Sequence, residues 1–367
     1  MILDGTKINW YHERVRAWER GEHIAPITID MALTTACNLN CEFCYGQLQR
    51  NVPSVIKKEH INSFLEDASA IGVKGVSLVS DGESTLSPIF QHTIKYGKSL
   101  GLAMAVGTNA CLLRGKLLRG VFPHLTYLRV NISAGEEARY REIMGAGKGI
   151  FEQVCSNIKE MVELKKAGHS CTVGMQMVLM PQYIDQVIPL TKLAISLGVD
   201  YLIIKHCSDD EQGTLGVDYG GYKNTYKTLR RAEALSTSRT RIRIKWSKLE
   251  ECSETGAIRS YSSCYGPPFL LQISGTGLVA PCGMLFNERY KSYHMGNITK
   301  TSFREIWESD LYWKIIRKLA SSSFKAQTKC GSLCLQHSVN KYLDLYKKGL
   351  ISLVEPVGKP PMHKEFI

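Results

Sequence analysis

The sequence has no apolar stretch approaching the roughly 18 residues that a membrane-crossing helix needs. Its start, "MILDGTKINWYHERVRAW", lacks the basic and then apolar run of a secretory signal. Low-complexity tracts and heptad runs are missing too. These absences exclude membrane-spanning and coiled-coil classes and lead to the expectation of a cytoplasmic protein. A concentrated basic surface is also lacking: the net charge of +12 is spread along the chain, with only short clusters such as "KTLRRAE" and "SRTRIRIKW". That balance allows an acidic or phosphorylated partner, while no aromatic-rich RNA motif accompanies the basic clusters.

Cysteine is what the chain has in number, 12 in 367 residues. In a reducing compartment that usage points to metal or redox chemistry rather than to a disulfide scaffold. The distribution is uneven. Cys37, Cys41 and Cys44 crowd into "ACNLNCEFCYG", and Cys264, Cys282, Cys330 and Cys334 fall in a C-terminal segment. Cys111, Cys155, Cys171, Cys207 and Cys252 are scattered, as buried small apolar side chains would be.

Between residues 27 and 206 short apolar runs alternate with helix-length amphipathic segments, the signature of parallel strands joined by crossover helices. Strands are expected at 27–34, 75–80, 102–108, 126–133, 172–180 and 200–206, and helices at 57–71, 87–99, 150–166 and 183–196. Six such units make an α/β fold, a partial (β/α)6 TIM-like barrel, whose chemistry gathers at the C-terminal ends of its strands. The expected organisation is an N-terminal extension (1–26), the barrel (27–206) and a connector (207–262) with a helix near 222–236 and the strand "RIRIKW". A cysteine-bearing domain (263–337) and a C-terminal helix and tail (338–367) complete it.

The first cluster has the spacing C-x3-C-x2-C and begins three residues after the first strand. Zinc sites use four ligands in paired arrangements, and no fourth ligand stands nearby. Three thiolates on a 4Fe–4S cluster leave one iron open to a small molecule. In this the chain resembles the radical S-adenosylmethionine (SAM) enzymes, with Phe43 in the usual aromatic slot and Tyr45 beyond the third cysteine. The resemblance implies that the open iron chelates SAM. It extends to "SDGES", where Asp81, Gly82, Glu83 and Ser84 stand for the turn that holds the methionine amine. It continues in "GTNACLL", with Thr108 and Asn109, and in "NISAG", with Ser133. The family's Arg-Gly pair appears as Met144 and Gly145, so Arg141 is expected to supply the missing contact.

Two look-alikes are discarded: "GTGLVA" fits the dinucleotide-binding G-x-G-x-x-A but runs into Pro281, where no helix can begin, and "GAGKG" lacks the hydroxyl and spacing of a phosphate loop. The C-terminal cysteines, with Gly277 at C-x12-G-x4-C and "MGNITKTSFREIW" downstream, resemble the SPASM/twitch extension of the same enzymes. Four thiols close a cluster with no open site, which suits electron transfer. The count implies the shorter twitch form with one auxiliary 4Fe–4S cluster, with Cys252 or His337 as stand-ins for one ligand.

The resemblance implies reductive cleavage of SAM to a 5′-deoxyadenosyl radical, abstraction of a substrate hydrogen and an electron passed to the auxiliary cluster. The expected enzyme is thus an oxidoreductase that dehydrogenates a hydroxylated small molecule such as a sugar, aminocyclitol or nucleotide-linked metabolite, served by a flavodoxin or ferredoxin-type reductant. Candidates for the base, or for a hydrogen donor in the case of Cys207, follow the last barrel strand: Lys205, His206, Cys207, Asp209, Asp210 and Glu211. Lys205 and His206 alternate, so at most one is expected to face the barrel. Only 26 residues precede the first strand, too few for a fused leader-binding domain, which favours a small molecule over a peptide. The alternatives are a peptide maturase forming a thioether, carbon–carbon link or epimer, a cysteine-dependent epimerase, and a noncatalytic iron–sulfur carrier or nucleic-acid-binding module.

Overall fold

In the computed structural model, residues 5–49, 52–250, 252–253, 256–257, 259–330, 334 and 336–367 are described. Six consecutive parallel strands follow the expected alternation: β1 (Thr28–Met31), β2 (Gly75–Leu78), β3 (Ala103–Thr108), β4 (Leu125–Asn131), β5 (Thr172–Leu179) and β6 (Tyr201–His206). Helices Lys58–Ile71, Phe90–Ser99, Ile150–Lys166 and Val187–Leu197 occupy the segments that the amphipathic pattern predicts. Among the described residues no helix is long and apolar enough to cross a membrane.

The sheet does not stop at six strands. The "RIRIKW" segment forms β7 (Arg241–Ile244), parallel to β6, so the stretch expected as a connector adds to the barrel wall. A short hairpin, β8 (Cys252–Ser253) with β9 (Gly256–Ala257), stands apart. On the other edge β10 (Leu270–Ile273) pairs parallel with β1, followed antiparallel by β11 (Leu278–Ala280) and β12 (Gly296–Asn297). The order is β12-β11-β10-β1-β2-β3-β4-β5-β6-β7, a single ten-stranded sheet. The C-terminal cysteine segment is therefore built onto the barrel's first strand. Pairing between residues 242 positions apart carries no local signature, which is why sequence periodicity ends the sheet too early.

Side-chain alternation divides this sheet sharply. Ile29, Met31, Val76, Leu78, Met104, Val106, Leu128, Val130, Met175, Met177, Leu202 and Ile204 all have no exposed surface and pack on the crossover helices. The intervening positions on the same strands carry Asp30, Ser77, Arg129, Asn131, Gln176 and Lys205, with Gln272 on β10. A barrel filled for stability alone carries bulky branched side chains inside. This one has a polar interior.

The far end of the barrel is closed by the tail. Lys7 Nζ donates to the carbonyls of His363 (2.8 Å) and Phe366 (3.0 Å), and the Thr28 hydroxyl donates to that of Glu365 (2.7 Å). Phe366 packs on Ala105 and Tyr127. The N-terminal extension and the helix His337–Lys347 share a second small core of Ile8, Val15, Ile24, Ile27, Phe269, Val339 and Leu343.

Candidate active site

The loop after β1 brings Cys37, Cys41 and Cys44 to the wall of one cavity of about 220 Å³ at the C-terminal ends of the strands. Its course is fixed by backbone bonds: Glu83 N to Ala36 O (2.8 Å), Glu42 N to Ile143 O (3.1 Å) and Cys44 N to Cys41 O (3.1 Å). Gln47 Nε2 donates to Cys41 O at 2.7 Å. Burial raises the affinity of all three thiols for their protons, and at Cys41 neighbouring Cys44 and Cys37 add to the effect. Such thiols become good ligands when a cation draws the protons off. Among the described residues no set of three or more His, Cys, Asp or Glu side chains closes on a point as a single metal ion requires. Cys37, Cys41 and Cys44 do line one cavity, and three thiolates are a donor set that fits an iron–sulfur cube.

Glu83 is the most tightly fixed carboxylate on this wall. It is buried; Oε1 accepts from the hydroxyls of Thr85 (2.7 Å) and Thr108 (2.8 Å), and Oε2 from the backbone N–H of Asn109 (2.8 Å). Gly82 makes the turn possible: its φ is +123°, and a Cβ there would lie 2.2 Å from the Thr34 carbonyl. Asn109 Nδ2 donates to Asn38 Oδ1 (2.8 Å) and stands 3.9 Å from Cys37 Sγ. Phe43, Tyr45, Gly82, Glu83 and Asn109 all line the cavity with the cysteines.

Other expected cofactor contacts are engaged elsewhere. Asp81 accepts from Ser274 Oγ (2.6 Å) and Gly275 N (2.9 Å), tying β2 to the turn after β10. Ser84 Oγ accepts from Leu33 N (3.3 Å), Ser133 Oγ accepts from Val178 N (3.1 Å), and the Thr108 hydroxyl is spent on Glu83. Arg141 is exposed, because the helix Glu137–Met144 turns Tyr140, Ile143 and Met144 inward and leaves Arg141 on its outer face. Met144 itself reaches the cavity.

The base candidates divide the same way. Lys205, His206 and Cys207 line the cavity. Lys205 lies in the row of inward side chains, while His206, at the strand end, borders the rim against Tyr222 (ring centroids 6.0 Å). Asp209 accepts from Leu215 N (2.8 Å) and Asp210 N (2.8 Å); Asp210 pairs with Arg289 (2.8 Å) and accepts from Thr214. Glu211 is exposed and accepts from the Tyr290 hydroxyl (2.5 Å). These three carboxylates organise the loop after β6, and none lines the cavity. Burial, then Lys248 and Lys205, lower His206 to about 3, so it is neutral, and its Nδ1 has no partner. Burial, then Asp209, push Cys207 up to about 12, so it remains a thiol; its Sγ lies 3.7 Å from the Phe43 carbonyl.

Asp30, Arg129, Asn131, Gln176 and Gln272 also line the cavity, and reading the strands as apolar runs missed them. The signal was present: each is the polar alternate in a strand whose other face is apolar.

Cys264, Cys282, Cys330 and Cys334 line a second, smaller cavity walled by Pro281, Met284, Leu285, Leu319 and Phe324. Asn340 addresses two of them, with Nδ2 3.6 Å from both Cys264 Sγ and Cys334 Sγ. Its orientation is set because Oδ1 accepts from Tyr265 N (2.7 Å) and Gly266 N (2.8 Å). His337 does not line this cavity and instead meets the Tyr261 hydroxyl through Nδ1 (3.1 Å). The side chain of Cys252 lies outside the described residues. Cys111 and Cys171 are buried in the main core, as expected of scattered cysteines. The two cysteine groups meet through their neighbours: a Cβ on Gly283 would come 3.5 Å from the Tyr45 ring, which places Cys282-Gly283 against Cys44-Tyr45.

Comparison with known proteins agrees with both halves. Residues 31–194 match the radical SAM superfamily and residues 264–335 match SPASM, an iron–sulfur cluster-binding domain. The AdoMet-dependent heme synthase of Methanosarcina barkeri is 25% identical over 84% of this chain and 88% of its own length. The mycofactocin maturase MftC of Mycolicibacterium smegmatis is 21% identical over 86% of this chain and 78% of its own. The crystal structure of Streptococcus suis SuiB bound to SAM superposes with a TM-score of 0.63 at 18% identity, covering 83% of this chain and 71% of that one. SuiB bound to its precursor peptide SuiA gives the same TM-score at 16% identity, covering 82% and 69%.

Proposed function

The chain belongs to the radical SAM superfamily and carries a C-terminal SPASM domain, and from that premise we propose that it oxidises a small organic substrate held in the polar barrel interior. The two domains imply SAM with a 4Fe–4S cluster and an auxiliary iron–sulfur cluster as cofactors. When bound, they supply a 5′-deoxyadenosyl radical at the strand ends and an acceptor for one electron.

The observation that carries this reading is the pair of thiol-lined cavities. Cys37, Cys41 and Cys44 line one and leave a ligand position open; Cys264, Cys282, Cys330 and Cys334 line the other and suit a single, fully ligated cluster. Glu83 and Asn109 face the first centre and serve as cofactor contacts. For an alcohol, the substrate loses a hydrogen atom from carbon, one electron to the second centre and one proton from oxygen. That proton passes to a base on the cavity wall, where Lys205 and His206 stand as candidates.

A peptide substrate is the second reading, favoured by the fold shared with SuiB and by the maturase MftC among the relatives. The test is to challenge the anaerobically reconstituted enzyme separately with the low-molecular-mass and the peptide fractions of a cell extract. The proposal expects the small-molecule fraction to stimulate 5′-deoxyadenosine formation, matched one to one by a product lighter by two hydrogens. Stimulation by the peptide fraction alone, or a product of unchanged mass, would sink it.

A further inference from the structure

Deep in the barrel, Arg129 and Lys205 share one cavity wall, and neither forms an ion pair among the described residues. Arg129, on β4, is 6% exposed; its Nε is buried with no hydrogen-bond partner, and its guanidinium stands 6.0 Å from the Tyr127 ring centroid. Lys205, on β6, forms no hydrogen bond or ion pair among the described residues. Asp30 shares this wall and feels the charge of both, but it accepts from Gln272 Nε2 (3.4 Å) and from Ser77 and forms no ion pair with either cation among the described residues. Burial pushes Asp30 up to about 7 against the opposing pull of Arg129 and Lys205. Burial and then Arg129 bring Lys205 down to about 7, the behaviour of an ammonium that lacks its counter-ion.

Buried charges left unpaired cost several kcal/mol each, and nearly all buried polar atoms in folded proteins find partners. Here Arg129 Nε is such an exception, a donor without a partner on a residue that lines the cavity. Arg129 and Lys205 also line the lower cavity of about 140 Å³ that the tail closes, so they sit where the two spaces meet.

We infer that Arg129 and Lys205 form an anion subsite that holds a carboxylate or phosphoryl group of the substrate across the barrel between β4 and β6. The inference rests on the barrel interior being the substrate chamber. The planar fork of Arg129 offers two parallel N–H donors to such a group, and Lys205 adds a point charge. The anion is not that of SAM. Arg129 and Lys205 also line the lower cavity, which none of the three cysteines of the first loop borders.

The test uses anaerobically reconstituted holoenzyme at constant ionic strength, with succinate, inorganic phosphate and neutral succinamide as probes and the thermal midpoint as readout. Succinate or phosphate should raise the midpoint of the wild type above the succinamide value, and the more effective of the two identifies the group as carboxylate or phosphoryl. Arg129→Gln and Lys205→Gln should each lose that shift, and Arg129→Lys should keep part of it. Without anion, Arg129→Met and Lys205→Met should melt no lower than wild type, since each removes an unpaired buried charge. Equal anion shifts in wild type and the double Gln variant, no anion-specific shift in wild type, or a marked fall in the anion-free midpoint of the Met variants would each overturn the inference. Formation of 5′-deoxyadenosine by the same wild-type preparation is scored separately. Nucleoside without an anion effect removes the subsite alone, whereas no nucleoside under any condition removes the reading beneath it.

Discussion

The backbone N–H of Asn109 donates to Glu83 Oε2 at 2.8 Å, so the turn after β3 fixes the carboxylate that follows β2. Both Glu83 oxygens act purely as acceptors. Glu83→Gln would therefore set an amide N–H against a donor, at a cost of about 1–3 kcal/mol. SAM affinity should fall on the order of tenfold or more. Equilibrium titration of the reconstituted protein checks this, and unchanged affinity would remove Glu83 from the cofactor contacts.

Asp81 serves a different purpose. Its bonds to Ser274 and Gly275 join the barrel to the C-terminal strands. Asp81→Ala leaves Ser274 Oγ and Gly275 N without that acceptor and should lower stability by roughly 1–3 kcal/mol. Urea denaturation followed by fluorescence measures the loss, and a midpoint within error of wild type would show that the latch carries no weight.

Much of this was legible in the chain. The three-cysteine loop has a fixed local spacing, and the first six strands announce themselves by apolar runs separated by amphipathic helices. What was hidden is non-local or lies on the quieter face of a strand. Asp81 reads as part of a cofactor turn until Ser274, 193 positions away, is placed beside it. The pairing of β10 with β1 and the return of residues 363–366 to the barrel floor depend on partners that no window of sequence contains. Arg129 and Gln176 were visible as polar alternates, but their meaning needed the neighbouring strands. Arg141, chosen because a family arginine was missing, points outward because its helix buries the residues on either side of that face.

The amide of Asn340 reaches two sulfurs of the second centre, and its carbonyl is held by two backbone N–H groups. N–H donors to cluster sulfurs favour the reduced, more negative state. Asn340→Leu should therefore lower the auxiliary cluster's reduction potential, by on the order of 40 mV for each bond of about 1 kcal/mol. Redox titration followed by electron paramagnetic resonance reads this directly. An unchanged or raised potential would contradict the assignment of those contacts.

Single alanine substitutions at Cys264, Cys282, Cys330 and Cys334 should each impair the auxiliary cluster while leaving SAM cleavage at the first centre detectable. Substrate oxidation should fall far more than 5′-deoxyadenosine formation. Parallel loss of both would mean that the second centre supports the fold rather than accepting an electron.

The central claim is that two thiol groups hold two separate clusters and that only the first cleaves SAM. It is tested most directly by counting iron and sulfide, and assaying 5′-deoxyadenosine, in anaerobically reconstituted wild type and in the Cys37→Ala/Cys41→Ala/Cys44→Ala variant. The account predicts about eight irons in wild type, about four in the variant, and nucleoside from wild type alone. Nucleoside from the variant, or only about four irons in wild type, would contradict it.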